Sequence, residues 1–293
     1  DVQVAMVRSI PGLEQAEIIQ HGYAVEYDFS DPRDLNHGLE HSKIPGLFLA
    51  GQVNGTSGYE EAAAQGLIAG VSAAQGEPFV LGRDQAYIGV LIDDLVTRGV
   101  GGEPYRMFSS RAEHRLLLRE DNADRRLTPI GRQIGLVTDE SWTQFEAKCS
   151  AIESARAWCE KTLVRPSAEV VLRFEAAGIS PPRKPATVSE LLRRPELHWS
   201  ILSSLIDGVP DLDASMAEQV ETDIKYAGYL QREEVRAART RKMEAVRIPD
   251  NMEFDAPGIS SEVAERLRAA RPATLGAAAR LPGVPPAAID MLA

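Results

Sequence analysis

Two cysteines, Cys149 and Cys159, are all the thiols in 293 residues. That is too few for a disulfide framework and fits a reducing, cytoplasmic setting. The pair sits on one expected helix and reads as buried or idle thiols rather than a redox couple. No apolar run approaches the roughly 20 residues a membrane span needs, and no signal peptide is visible. Cations are in deficit: 32 Lys and Arg against 43 Asp and Glu leave a net charge of −11. The molecule as a whole is therefore no general polyanion binder, and any nucleic-acid site must be a local basic patch. A dinucleotide fingerprint is missing too. The cluster Gly99-Val100-Gly101-Gly102 runs towards Pro104 without the flanking strand and helix that such a loop needs. The length and the 44% apolar content are ample for two domains or more.

Gly46 to Ala74, GLFLAGQVNGTSGYEEAAAQGLIAGVSAA, is the most patterned stretch. Leu47-Phe48-Leu49-Ala50 is too short for a helix and is bounded by glycines, which predicts a buried strand. Asn54-Gly55-Thr56 reads as a tight turn. Ser57 and Glu60 have capping-box spacing, which predicts a helix from about Gly58. Ala62, Ala63, Gly66, Leu67, Gly70 and Val71 then share one side, a face of small residues suited to lie close to a sheet or a flat ligand. Free N–H groups at the helix start suit a phosphate or a carbonyl that gains negative charge. Upstream, a short helix, a Pro11-Gly12 turn and an alternating strand through Ala24–Asp28 are expected. Arg33 and Asp34 could serve a substrate, but read more simply as a pair that bond to each other at a loop. His37-Gly38-Leu39-Glu40-His41 matches H-x-x-E-H, but Pro32, Pro45 and Gly38 oppose the helix that would align both histidines on zinc. His21, His114 and His198 lack ligand spacing.

After a Gly/Pro linker over 76–83, Ala86, Val90, Leu91 and Leu95 form one face of a helix that ends near Gly99. Asp93 and Asp94 splay by roughly 100° on it and read as solvated or capping. From Arg98 to Arg132 there are eight arginines against five acids. Arg111, Arg115 and Arg119 repeat every four residues, so a helix would make them one ridge. Such a ridge can grip phosphates in forked pairs or pair with the neighbouring acids; charge alone leaves both open. Trp142, Phe145, Ile152 and Trp158 mark an amphipathic helix over 139–162 for core or dimer packing. Prolines 166, 181, 182 and 185 mark a hinge. A long helix over 217–246 carries Lys225, Tyr226, Tyr229, Arg232, Arg236 and Arg239, a mixture that could stack and clamp RNA or serve as a solvated face. Leu281-Pro282-Gly283-Val284-Pro285 is similar to the hairpin of helix–hairpin–helix modules, weakened for phosphate by a proline that lacks an N–H.

Ala50-Gly51-Gln52-x-Asn54-Gly55-Thr56-x-Gly58-Tyr59-Glu60-Glu61-Ala62 closely resembles a signature of the tRNA uridine 5-carboxymethylaminomethyl modification enzymes, the MnmG or glucose-inhibited division protein A family. Gly22–Phe29, Asp31–Leu35, Glu103–Leu116, Arg119–Asp124, Arg126–Thr128 and Lys225-Tyr226-x-Gly228-Tyr229 resemble it as well. His114 stands where that family often has tyrosine, a change that would tune a stacking contact. The likeness is strong over 1–137 and looser over 138–293. It implies an α/β plus all-α fold: the C-terminal remnant of an FAD-binding Rossmann-type domain over 1–80, a helical domain with the arginine-rich segment over 81–215, and a C-terminal helical subdomain for tRNA and partner over 216–293. By resemblance Gln52 contacts FAD, and Gly55 and Thr56 lie against its ring. Arg111, Arg115, Arg119, Lys225 and Arg236 are the tRNA-side candidates. No catalytic nucleophile is expected in the chain, since the N-terminal FAD fingerprint and the proposed catalytic cysteine motif would lie upstream of Asp1. The implied activity is FAD-dependent addition of an aminomethyl or carboxymethylaminomethyl group to wobble-uridine C5. It would draw on NADH and methylene-tetrahydrofolate, with the GTPase MnmE as partner and a homodimer as the working form. The expectation of another class is a non-catalytic helical module that binds tRNA or a partner.

Overall fold

The computed structural model describes residues 1–23, 26–249, 251–255 and 257–292. The opening segment holds a short helix, α1 (Val2–Arg8), and a turn at Pro11-Gly12. The strand expected through Ala24–Asp28 rests on Ala24 and Val25, which lie outside the described residues; Glu26–Phe29 are not in a strand. Leu47–Ala50 is extended but is not the buried strand its composition predicts. Its only ladder-type pairing is the bridge from Phe48 to Glu40, and Phe48, Leu49 and Ala50 are only half-buried. Apolar content favours extended backbone there, but a strand also needs a partner for its own N–H and C=O groups.

Helix α2 (Tyr59–Gln75) starts where expected, at Gly58, yet no side chain caps it. The Glu61 carboxylate folds back over Gly58 instead, so close that a Cβ there would stand 1.6 Å from Glu61 Oε2. The buried face of α2 is Gln65, Ile68, Ala69 and Ser72, not the small-residue side. Leu67 is 53% exposed, and Gly66 and Gly70 face open space. Burying Ile68 against Leu35, Leu39 and Ile92 of the first core removes more apolar surface from water than burying glycines would. Helix α3 (Tyr87–Arg98) ends on Gly99 at φ +70°, a left-handed-side conformation that costs glycine least. Its expected face, Ala86, Val90, Leu91 and Leu95, is buried.

Helix α4 (Ala123–Gln133) leads to α5 (Asp139–Lys161), which is capped by Thr138 Oγ1 accepting from the Ser141 N–H. A minimal antiparallel pair, β1 (Leu163–Val164) and β2 (Ala186–Thr187), pairs Leu163 with Thr187 and Val164 with Ala186. It brackets α6 (Ala168–Ala176). Thr187 and Glu190 form a capping box at α7 (Val188–Leu192), and α8 (Trp199–Leu205) follows. Ile152, Phe174, Leu192, Leu202 and Val220 belong to one core there. Trp158 and Trp199 meet edge to face within 6.3 Å. Cys159 is fully buried in that core, and burial pushes its thiol up to about 12.

The spine is α9 (Ala214–Ala245), 32 residues and about 48 Å long at 1.5 Å per residue. Its first turns pack into that core through Ala217, Val220 and Ile224. Beyond it, α10 (Ser261–Ala270), α11 (Leu275–Ala279) and α12 (Pro286–Leu292) surround Ile248, Phe254, Leu267, Leu275 and Ala278. The hairpin between α11 and α12 is closed by Arg266, whose guanidinium donates to Pro282 O at 2.6 Å beside Gly283. Among the described residues no helix is long and apolar enough to cross a membrane.

Candidate functional site

The loop from Gly51 to Gly58 is held from below by one side chain. Gln65 Oε1 accepts from the Gly51 N–H at 3.1 Å and from Asn54 Nδ2 at 2.9 Å, while Gln65 Nε2 donates to Thr56 Oγ1 at 3.0 Å. Gln65 is fully buried and Thr56 is 2% exposed. Gly55 has φ +83°, and a Cβ there would stand 2.7 Å from Val100 Cγ2 and 2.9 Å from Phe29 Cε2. Its carbonyl accepts from the Tyr105 N–H at 2.7 Å. Gln52 remains half-buried, its amide donating to Asp28 O at 3.3 Å. Of the three residues the resemblance puts beside FAD, Gln52 keeps a reachable polar group, Gly55 has its N–H given to Gln52 O and its C=O taken by the Tyr105 N–H, and the Thr56 hydroxyl is committed inward. Asn54 Oδ1 is buried without a partner. The half-buried Gln52 amide is the one side chain of the loop that a flavin ring could reach. The helix start does not fit the flavin's diphosphate, because the Glu61 carboxylate occupies the place where an anion would sit. Gln65 escaped the sequence reading, although a lone amide inside the alanine- and glycine-rich AAAQGLIAG run was its visible signal.

Beside the loop lies a buried charge cluster. Asp93 and Asp94 are 8% and 1% exposed, so the solvated or capping role expected of them is wrong. Arg83 Nη1 reaches Asp93 at 2.9 Å and Asp94 at 2.8 Å, and Arg83 Nη2 reaches Glu113 at 2.8 Å. Tyr105 donates its hydroxyl proton to Asp94 at 2.8 Å. Arg280, from the end of α11, meets Asp93 at 3.1 Å and pairs with Glu244 of α9, which ties the last bundle to α3. Burial pushes the Asp93 carboxyl up, but its hydrogen bond to His37 and the charges of Arg280 and Arg83 outweigh that and hold it below its ordinary value. Arg33 and Asp34, expected to pair with each other, instead bind Asp31 at 3.0 Å and Lys43 at 2.8 Å. His37 Nε2 contacts Asp93, whereas His41 Nδ1 accepts from the Lys43 N–H. Among the described residues no group of three His, Cys, Asp or Glu is placed to hold a metal ion.

The arginine ridge does not form. Only Ser109–Arg111 makes a short 3-10 turn, and the chain to Asn122 runs in turns. Ala112 and Leu118 are drawn into a core with Val90, and His114, 1% exposed, is drawn to α9, where Nδ1 meets Glu233 Oε1 at 2.9 Å. Those anchors are incompatible with a four-residue repeat of outward arginines. They also remove His114 from any stacking role. Arg111 lies 4.3 Å over the Tyr105 ring and 3.9 Å from Asp94. Arg119 is bound to Asp121 at 2.9 Å, and Lys225 to Glu221 at 2.9 Å. Arg115 is exposed and, among the described residues, has no ion-pair partner. Arg236 is 66% exposed, 3.8 Å from Glu233.

The His114–Glu233 contact therefore docks the segment carrying Arg115 against α9 at the residue that Arg236 also meets. Tyr226 and Tyr229 are 45% and 56% exposed, with ring centroids 6.4 Å apart. Arg232 lies 4.9 Å over the Tyr229 ring. One turn of the surface away is a cleft of about 560 Å³ whose lining has five arginines (Arg119, Arg125, Arg126, Arg156 and Arg241) against three carboxylates (Asp84, Asp223 and Glu234). Four of those arginines lay outside the candidate set, because their convergence depends on tertiary structure.

A glycine-bounded loop-and-helix segment joined to a helical array with a cationic, aromatic face defines the class: the tail of an α/β domain fused to helical C-terminal domains. Three family models match in succession. Residues 1–77 match glucose inhibited division protein A. Residues 139–234 match the tRNA modifying enzyme MnmG/GidA C-terminal helical domain, and residues 236–293 its C-terminal helical bundle. The chain belongs to the MnmG/GidA family and corresponds to its C-terminal portion. It is 51% identical over its whole length to the tRNA uridine 5-carboxymethylaminomethyl modification enzyme MnmG of Syntrophotalea carbinolica, covering 48% of that protein. It is 49% identical to the enzyme of the same name from Thermodesulfovibrio yellowstonii, covering 47%. The solved structure of Aquifex aeolicus GidA superposes with a TM-score of 0.77 at 38% identity, over 99% of this chain and 46% of that one. The chain thus spans about half the length of these relatives.

Proposed function

We propose that this chain supplies the tRNA grip and one edge of the flavin site of an FAD-dependent enzyme that modifies the C5 position of the wobble uridine in tRNA. The observation that carries the reading is the contact of His114 with Glu233, which joins the Arg115 segment to the part of α9 that carries Arg236 and the Tyr229–Arg232 pair. Phosphates pair with the free guanidiniums, and exposed aromatic rings accept unstacked bases. Arg111 stacks on Tyr105, and Arg119 and Lys225 each have a close carboxylate partner, so the first contacts of this face are assigned to Arg115 and Arg236. FAD, when bound, supplies the redox chemistry; Gln52 and the Gly55 backbone would border its ring. NADH, methylene-tetrahydrofolate, the GTPase MnmE, a homodimeric state and a cytoplasmic location belong to the proposal for the whole protein.

The second reading, a non-catalytic helical module for tRNA or a partner, is favoured by the inward Thr56 and by Glu61 at the helix start, which leave this chain few flavin contacts. Both readings place RNA on α9. The double variant Arg115→Ala/Arg236→Ala is expected to weaken binding of unmodified tRNA on the order of tenfold and to reduce the salt slope by about one to two. Its circular dichroism should match wild type, since neither side chain is buried. An unchanged affinity would remove both arginines from the site.

A further inference from the structure

The arginine cleft has a second chamber. Arg119 and Arg126 line both the cleft and a neighbouring niche of about 340 Å³ walled by Tyr87, Ile88, Leu118, Ala123 and Leu127. Both volumes fall in the ~300–1,000 Å³ range of small-ligand sites. The two chambers differ in chemistry. The niche is mainly apolar, with Glu120, Arg119 and Arg126 its charged wall members, whereas three guanidiniums of the cleft converge on one buried carboxylate: Asp223 has Arg125 at 2.8 Å, Arg119 at 3.6 Å and Arg156 at 3.7 Å. Arg119 has Asp121 as its close partner at 2.9 Å, which leaves Arg125 and Arg156 sharing the single charge of Asp223. Arg156 is 43% exposed with only that long contact. Arg126, in the dividing wall, makes no salt bridge among the described residues, although Asp121 and Asp124 lie near enough to act on its charge. Its donors go to Asn122 Oδ1 at 2.9 Å, to Arg119 O at 3.1 Å and to Gln85 O, all uncharged oxygens. Burial and the neighbouring Arg119 hold the Arg126 guanidinium below its ordinary pKa, against the opposing pull of Asp121 and Asp124.

We propose that the two chambers form one nucleotide site: an unpaired base of an RNA chain enters the apolar niche, and its flanking phosphates lie on Arg125 and Arg156 in the cleft. Asp223 acts as the organiser, holding the arginines while leaving them a net positive charge. The Tyr87 ring and the Arg119 and Arg126 planes offer the flat surfaces on which bases stack. Ala227, Leu230 and Gln231 of α9 line the cleft, so the site continues along the same helix as Tyr226 and Tyr229. The inference rests on the RNA-recognition reading above and adds to it a base-specific subsite away from the flavin loop.

The test is fluorescence anisotropy of the 293-residue chain with a labelled single-stranded RNA heptamer across a salt series, with unmodified tRNA and AMP as competitors. Ala123→Phe fills the niche from a half-buried helix end; it should weaken heptamer binding on the order of tenfold or more and leave the salt slope unchanged. Arg156→Gln should lower the slope by about 0.7, the value for one phosphate on a single strand. Tyr87→Ala, which removes a wall instead of adding bulk, should also weaken binding, so a folding defect in one variant does not decide the matter. Heptamer affinity unchanged in both niche variants overturns the base site. AMP competing as well as the heptamer overturns the RNA chain in favour of a free nucleotide. A chain that binds tRNA but not the heptamer sinks this inference and leaves the reading above standing; a chain that binds neither sinks both.

Discussion

Replacing Arg83 with alanine is expected to cost about 3–5 kcal/mol of stability, the usual penalty for breaking a buried ion pair and leaving its partner uncompensated. Arg83 is 8% exposed and binds three carboxylates. After its removal Asp93 keeps Arg280, and Asp94 keeps the Tyr105 hydroxyl with Arg98 at 3.7 Å. Glu113, 35% exposed, turns to solvent. The unreplaced loss centres on Asp94, at 1% exposure. The effect carries a pH signature. Burial raises the Asp93 and Glu113 carboxyls, yet their bonded and nearby partners (His37 and Arg280 with Arg83 for Asp93, Arg83 chiefly for Glu113) bring both below their ordinary 3.8 and 4.5. A carboxyl lowered by folding contributes stability that is present above its unfolded pKa and is lost as pH falls through its folded one. The wild type therefore weakens with acid below about pH 4. In the variant the stranded acids gain most from protonation, so the gap between the two proteins narrows there. Urea melts at pH 7 and pH 3.5 measure both; a loss under about 1 kcal/mol at pH 7, the scale of an exposed pair, contradicts the cluster's role.

Gln65→Leu is expected to be the next most damaging change. The leucine fits the helix but strands the Gly51 N–H and the Thr56 hydroxyl, and leaves Asn54 Nδ2 only its bond to Leu49 O. At roughly 1–3 kcal/mol for each buried group left unpaired, a loss of about 3 kcal/mol follows. Gln65 is a positioning residue, so the change should also release the loop that presents Gln52. Gln52→Ala is the contrast: it removes a half-buried amide and leaves the network whole. In FAD titrations followed by flavin fluorescence, both variants should lose saturable quenching, and only Gln65→Leu should also lower the melting temperature. A Gln65→Leu protein with wild-type stability would show that the four-residue network does not hold the loop.

Local signals made several elements legible. Gly58 and Gly99 bound α2 and α3 as their sequence implies, and the 139–162 and 217–246 patterns correspond to α5 and α9. The exposed arginines and tyrosines of α9 were also visible, because a long uninterrupted helix fixes which residues share a side. What failed depended on partners distant in sequence. Asp93 and Asp94 look like solvated neighbours until Arg280 arrives from another subdomain. The four-residue spacing of Arg111, Arg115 and Arg119 looks helical until Glu233 captures His114. The buried face of α2 was misjudged because a polar residue, Gln65, anchors it. The cleft around Asp223 draws on α4, α5 and α9 together, and no single stretch carries its pattern.

In the proposed function α9 and the 111–126 segment grip RNA through phosphates although the chain carries a net charge of −11. The most direct test is a titration of the 293-residue chain with unmodified tRNA between 50 and about 200 mM salt, read as log K against log salt. With Arg115, Arg236, Arg125 and Arg156 on phosphates, the slope should fall at about −3 to −4, and the Arg115→Ala/Arg236→Ala protein should lose one to two of those units. A flat line, or no binding at the lowest salt, would contradict the account.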